Sequence, residues 1–310
     1  MVELLIVVAV MVILMGIALP VMKTGIEGRK LREAARQVNV CVELAKSIAA
    51  ETGLPSAVMI EPEFLPGVSE PFAVKMYLAE TPLPYSGDVV NAKAYVFSNA
   101  STATVTFHNA NPAVNGAESV SIGMLGIEHG DLIRFDYKGP TYQLVLTQPI
   151  AGPTAVLTLS GSPLPPTGIY SYQIYRQPQK TGAAPLELPK GAVIDLSASG
   201  LGNDNDFNSA TNTRPIRLMF APNGRLMRIT YARSATPLLP DFAPTSTVHL
   251  LVGNLENLGT LNLSDPNTLW VSIGQHSGRV TTAENGGTPS DYSLTTAREF
   301  AQSGAAMGGR

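Results

Sequence analysis

Few residues in this chain carry reactive chemistry, and their spacing limits what that chemistry can be. Four histidines, His108, His129, His249 and His276, are scattered without the i, i+4 spacing or the neighbouring cysteines of a zinc site. Glu128, His129 and Asp131 fall together in "IEHGD", a grouping able to move protons, but Gly130-Asp131 reads first as a turn. Asp204, Asp206 and Asn208 alternate in "GLGNDNDFNSATN" and could offer oxygens to calcium. That stretch lacks the glycine and distal glutamate of an EF-hand loop, and Asn/Asp-rich loops also form because their side chains imitate turns. Neither a G-x-S-x-G elbow nor a phosphate-cradling glycine loop is present. The expectation is no catalytic residue, no metal site, no cofactor and no enzyme. What remains is a lone acid. Glu3 stands at the edge of "MVELLIVVAVMVILMGIALPVMK", with no further charge before Lys23 and a proline, Pro20, seventeen residues on.

The element that must carry Glu3 is an apolar helix. From Leu4 to Met22 the residues are uncharged and mostly apolar, and at about 1.5 Å per residue such a helix spans roughly the 30 Å hydrocarbon layer of a bilayer. A secretory signal peptide needs a basic stretch before the run and a small-residue cleavage site after it; here the leading residue is acidic and "MGIALPVMKTG" is a poor site. The expectation is an uncleaved helix. Pro20 lacks a backbone donor and clashes with the preceding turn, so it is expected to kink the helix near Gly16 or to mark its end.

This combination resembles the N-terminus of type IV pilins and type II secretion pseudopilins, in which a glutamate near the mature start runs into an apolar helix with a proline seventeen residues later. The resemblance implies that Glu3 pairs with the N-terminal amine of a neighbouring subunit, two buried charges neutralising each other as helices stack. Two residues precede Glu3 where the family has four, and the basic leader ending in glycine does not precede it, so the resemblance further implies such a leader encoded upstream of Met1.

After Pro20, apolar and small residues recur at helical spacing, Leu31, Ala34, Ala35, Val38, Val42, Ala45, Ile48 and Ala49, until Gly53 and Pro55 end the pattern. From Ser56 onward alternation takes over, in short runs such as "SAVMI", "AYVFS", "TATVTFH", "VHLLVG" and "LWVSIG" bounded by Gly, Pro, Asn or Asp. The 24 prolines and 28 glycines suit such short strands. The single cysteine, Cys41, excludes an intrachain disulfide and reads as a small buried hydrophobe. A net charge of −3 with scattered lysines and arginines gives no footprint for nucleic acid.

From Leu188 the order "LPKG", "FAPNG" and "GRV" resembles the sheet region of the H-type minor pseudopilins, with residues 61–187 far longer than that family's usual connection. The organisation expected is therefore a transmembrane or filament-core helix at 1–22, an amphipathic continuation at 23–53, a β-rich segment with an inserted subdomain at 54–187, a pseudopilin-like sheet at 188–282 and a polar, Gly-rich tail at 283–310. The fold class expected is α+β, a long N-terminal helix, half membrane and half amphipathic, packed on a predominantly antiparallel β body. The function the resemblance implies is that of a structural minor pseudopilin assembling through Glu3 and Pro20 with other pilin-like subunits, in a single pass through the inner (cytoplasmic) membrane with an extracytoplasmic body, after processing by a prepilin peptidase. The alternatives are a membrane-tethered β-rich binding protein for a carbohydrate or cell-wall ligand, and a DNA-uptake minor pilin.

Overall fold

The structure is a computed structural model that describes residues 2–99, 102–113, 118–123, 125–146, 154–158, 163–209, 214–231, 241–242, 244–286 and 293–306. The side chains of some helix residues, Glu3 and Pro20 among them, lie outside that description. Among the described residues the strands form three antiparallel sheets, and α-helix is confined to α1 (Val2–Thr52), the short α2 (Thr260–Ser264) and α3 (Leu294–Ala306), with one 3-10 turn at Leu255–Asn257.

The main core lies between two of the sheets. The seven-stranded sheet runs Gln179–Lys180, Lys75–Glu80, Ser56–Ile60, Ile216–Phe220, Leu226–Thr230, Asp241–Phe242, with Leu186–Glu187 also on Lys75–Glu80. The five-stranded sheet runs Phe72–Ala73, Ala192–Leu201, Val248–Asn254, Leu269–Ile273, Val280–Glu284. One face of each, Val58, Ile60, Leu218 and Phe220 from the first and Ile194, Leu250, Val252 and Val271 from the second, joins one cluster with Leu31, Ala34, Ala35, Val38, Cys41, Val42 and Ala45 of α1. The small residues on that stripe let the helix axis approach both sheets closely. On the opposite face of the five-stranded sheet, Leu251 and Trp270 pack against Ala297 and Ala301 of α3.

The third sheet follows the order Gly168–Tyr170, Lys93–Ser98, Ala103–His108, Thr154–Thr158, Thr141–Val145, Leu132–Phe135, Tyr172–Tyr175, with Ser119–Val120 beside Ala103–His108. Its two edge strands are consecutive in the chain, separated only by Ser171, so the sheet must curl until its edges meet. Lys93 Nζ, near one edge, donates to Ser171 Oγ at 2.7 Å, and Asp136, beside the other, donates its backbone N–H to Ser171 O at 2.8 Å. The interior of this small barrel is its own core of Val96, Val105, Phe107, Ile133, Leu144, Tyr172 and Ile174.

Two expectations are corrected here. The fold is mainly β, built on three antiparallel sheets, and is not an α+β arrangement with a long helix laid along a β body: among the described side chains of α1, those that are buried fall between Leu31 and Ala49. Among the described residues no helix is long and apolar enough to cross a membrane, which overturns the single-pass inner-membrane placement. Physically, charged residues crowd the described helix from Glu27 to Arg36 and its buried stripe is committed to the core.

Candidate functional site

The two ends of α1 are treated oppositely. From Leu31 to Ala49 the period of three and four turns Leu31, Ala34, Ala35, Val38, Cys41, Val42, Ala45 and Ala49 fully inward, leaving Arg32, Glu33 and Arg36, with Val40 and Leu44, on the exposed side. At the other end Ile6, Val7, Val8, Val10, Met11, Val12 and Met15 are 49–63% exposed, all round the helix. Hydrophobic residues on every side of a helix signal burial. Nothing in the described chain supplies it. Glu3 and Pro20 fall within α1 on the same side of Leu31, but their side chains lie outside the described residues.

The other polar groupings resolve into structural joints. In "IEHGD" Gly130 adopts φ 95° and Asp131 donates its backbone N–H to Glu128 O, so the segment is a turn. The Asp131 carboxylate accepts backbone N–H groups of Glu128 and Gln177, each at 2.8 Å, and burial pushes its pKa up to about 6. His129 Nδ1 accepts from Leu146 N at 3.1 Å, which places the ring proton on Nε2, and burial with Arg214 nearby lowers its pKa to about 4. Across from this turn stands Arg217, on the outer face of the seven-stranded sheet. Its guanidinium donates to Gln177 Oε1 at 2.7 Å and Glu128 Oε2 at 3.1 Å, both on the barrel segment. These groups fasten the barrel to the body.

The alternating Asp204, Asp206 and Asn208 do sit in a cation-holding loop, and the cation is the chain's own. Arg298 of α3, 0% exposed, donates to Gly202 O at 2.7 Å, Ala198 O at 2.8 Å and Asp204 O at 2.9 Å, with the carboxylates of Asp206 and Asp204 favouring its charge. Burial lowers its pKa to about 10, which leaves it ionised at neutral pH. Gly200 is obligatory beneath it, since a Cβ there would meet Asp204 O. Among the described residues no group of three or more His, Cys, Asp or Glu is placed to hold a metal.

His249 and Ser272 are cross-strand partners, and His249 Nδ1 lies 2.8 Å from Ser272 Oγ. The pair imitates a nucleophile and base. However, His249 is fully buried, its Nε2 faces the amide of Gln302 at 3.2 Å where a catalytic pair has a carboxylate, and burial lowers its pKa to about 4. Arg217, Gln177, Arg298 and the His249–Ser272 pair were not singled out in the sequence. For Arg298 a signal exists, because Leu294, Ala297 and Ala301 recur at helical spacing in the short helix, Ser293 to Gln302, that the sequence suggests within the polar tail.

Comparison of the chain with protein-family models, curated proteins and solved structures returns no match.

Proposed function

We propose that this protein is a filament subunit of the pilin-like class, assembling through the apolar end of α1 with the corresponding helices of neighbouring subunits. The observation that carries the reading is the uncovered stretch Ile6–Met15 at the head of a helix whose other end is locked into a core. Burying that many large apolar side chains, at about 1.5–3 kcal/mol each, drives association of several copies without further contacts. The Glu3 to Pro20 spacing supports the same reading through its resemblance to the pilins. Glu3 would then take its counter-charge from the adjoining subunit. The activity is assembly, and the chain catalyses no reaction.

Electron microscopy and cross-linking of the full chain test this. Wild-type protein forms ordered assemblies in which a cysteine placed at Val8 or Met11 joins neighbouring copies. Val8→Glu and Glu3→Ala each leave the body folded and abolish ordered assembly. Assemblies that persist unchanged in Val8→Glu, or a wild-type chain that stays monomeric once detergent is removed, overturn the proposal.

A further inference from the structure

The barrel carries a surface that assembly through α1 does not use. Along Lys93–Ser98 burial alternates: Ala94 and Val96 point into the barrel core at 0% exposure, while Tyr95 and Phe97 stand outside at 37% and 54%. Tyr95 has Ile169 opposite it on one neighbouring strand and Thr106 on the other, and Phe97 has Thr104. Ile169 is itself 39% exposed. Strands lie about 4.8 Å apart and alternate residues along one strand about 6.7 Å apart. Two aromatic rings therefore stand side by side on a shallow surface, each with a threonine hydroxyl next to it.

Exposed rings on a sheet present a stacking platform, suited either to the bases of a single-stranded nucleic acid or to the apolar faces of sugar rings. Charge separates the two. A nucleic-acid platform is flanked by basic groups that follow the phosphates. In these rows the basic side chains are Lys93, whose ammonium is engaged by Ser171 Oγ at 2.7 Å, and His108, whose pKa burial lowers. The rows thus carry a single ammonium, tied to a hydroxyl, in place of a basic row, and are rich in hydroxyls. A second copy of this chain is also a poor fit: a whole aromatic side chain buries roughly 150–250 Å², so two half-exposed rings and one isoleucine fall well short of the ~800 Å² per partner of a stable interface.

We propose that this outer face of the barrel, Tyr95 and Phe97 with Ile169, Thr104 and Thr106, binds a neutral polysaccharide by stacking its sugar rings on the two aromatic side chains. The threonine hydroxyls meet the equatorial hydroxyls at the ring edges. This site is independent of the assembly reading, since its residues stand on barrel strands whose core is separate from the one α1 joins.

The full chain, held monodisperse in a non-ionic detergent without a sugar head group, is mixed with insoluble cellulose, chitin and β-1,3-glucan, and the bound fraction is measured. The wild type is retained on at least one. Tyr95→Ala with Phe97→Ala lowers that affinity about tenfold or more, while Phe97→Trp preserves it. Both variants keep a cooperative urea transition, the double alanine variant at a somewhat lower midpoint because its rings are only half exposed and Tyr95 packs across from Ile169. Retention on none of the three, retention unchanged in the double alanine variant, or ring-dependent binding of oligo(dT) in their place overturns the proposal. A change in oligomeric state of the double variant without any polysaccharide also overturns it, in favour of a second copy as the occupant.

Discussion

Two buried arginines fasten outlying parts of this molecule to its body, and they do so differently. Arg298 holds α3 to the five-stranded sheet through three backbone carbonyls, with Trp270 5.4 Å from its guanidinium. Arg217 holds the barrel to the seven-stranded sheet through two side chains, one of which, Glu128, is 49% exposed. Backbone acceptors are fixed by the fold and cannot leave when the arginine does. Side-chain acceptors can turn to water. The α3 joint is accordingly the stronger and the more brittle, and the barrel joint the weaker and the more forgiving.

The largest expected effect follows directly. Arg298→Ala strands the buried carbonyl of Ala198 and the partly buried carbonyls of Gly202 and Asp204, removes a counter-charge from buried Asp206, and should cost about 3–5 kcal/mol in urea unfolding. Arg298→Lys should recover only a minor part, because an ammonium cannot span three acceptors as the guanidinium fork does. A cost below about 1 kcal/mol would mean that α3 is held by Ala297 and Ala301 alone.

Acid should separate the joints next. His249, beside Arg298, has its pKa lowered by burial to about 4 from an ordinary 6.5, so the stability it contributes is present above pH 6.5 and is lost as pH falls toward 4. At about 1.4 kcal/mol per unit this is somewhat more than 3 kcal/mol. At the barrel joint the neighbours oppose one another. His129 behaves as His249 does, whereas Asp131, raised by burial from 3.8 to about 6, contributes stability below pH 4 that is lost as pH rises through 6. Between pH 6.5 and 4 the α3 joint should therefore loosen while the barrel joint holds. Hydrogen exchange, corrected for intrinsic rates, should show α3 amides losing protection at pH 5 before those of Leu132–Phe135, and His249→Gln should suppress the difference. Earlier loss in the barrel would reverse the ranking.

At constant pH, Arg217→Ala should cost about 1–3 kcal/mol, less than Arg298→Ala. Gln177 Oε1 is left buried without its donor, but Glu128 regains water. Limited proteolysis of the barrel segment checks it: faster cleavage between the barrel and the body is expected, with the barrel core intact.

How far the sequence foretold these joints depends on the range of the interaction. The local signals hold. "SAVMI", "AYVFS" and "VHLLVG" are strands, the stripe from Leu31 to Ala49 is buried, and "PNG" is a turn with Gly224 at φ 79°. Each is decided within a few residues by alternation, helical period or glycine's freedom at positive φ. The pairing of strands is not. The barrel closes because strands either side of Ser171 lie at opposite ends of one sheet, and no local pattern encodes that. The same holds for the Asp204–Asn208 loop. Its spacing suggests oxygens for calcium, but what meets the loop is Arg298 from a helix far along the chain, held by backbone carbonyls that the side-chain spacing does not encode. Likewise, a continuous apolar run at Leu4–Met22 gave no warning that the described helices would fall short of a membrane span.

The smallest effect is also the sharpest discriminator between the joints. Glu128→Gln keeps the shape of the acceptor and removes its charge. Because Glu128 is half exposed, its attraction to Arg217 is screened by water and ought to be worth less than about 1 kcal/mol, while Arg217 retains Gln177 Oε1. The variant should lose little stability, and the difference from wild type should shrink further in 1 M salt, where the screening length falls to about 3 Å. Salt should leave the cost of Arg298→Ala nearly unchanged, since that guanidinium is sealed from solvent. A Glu128→Gln cost above about 2 kcal/mol that salt does not reduce would show the Arg217 pair to be desolvated. The barrel would then be locked as firmly as α3, and the contrast between a brittle and a forgiving joint would fail.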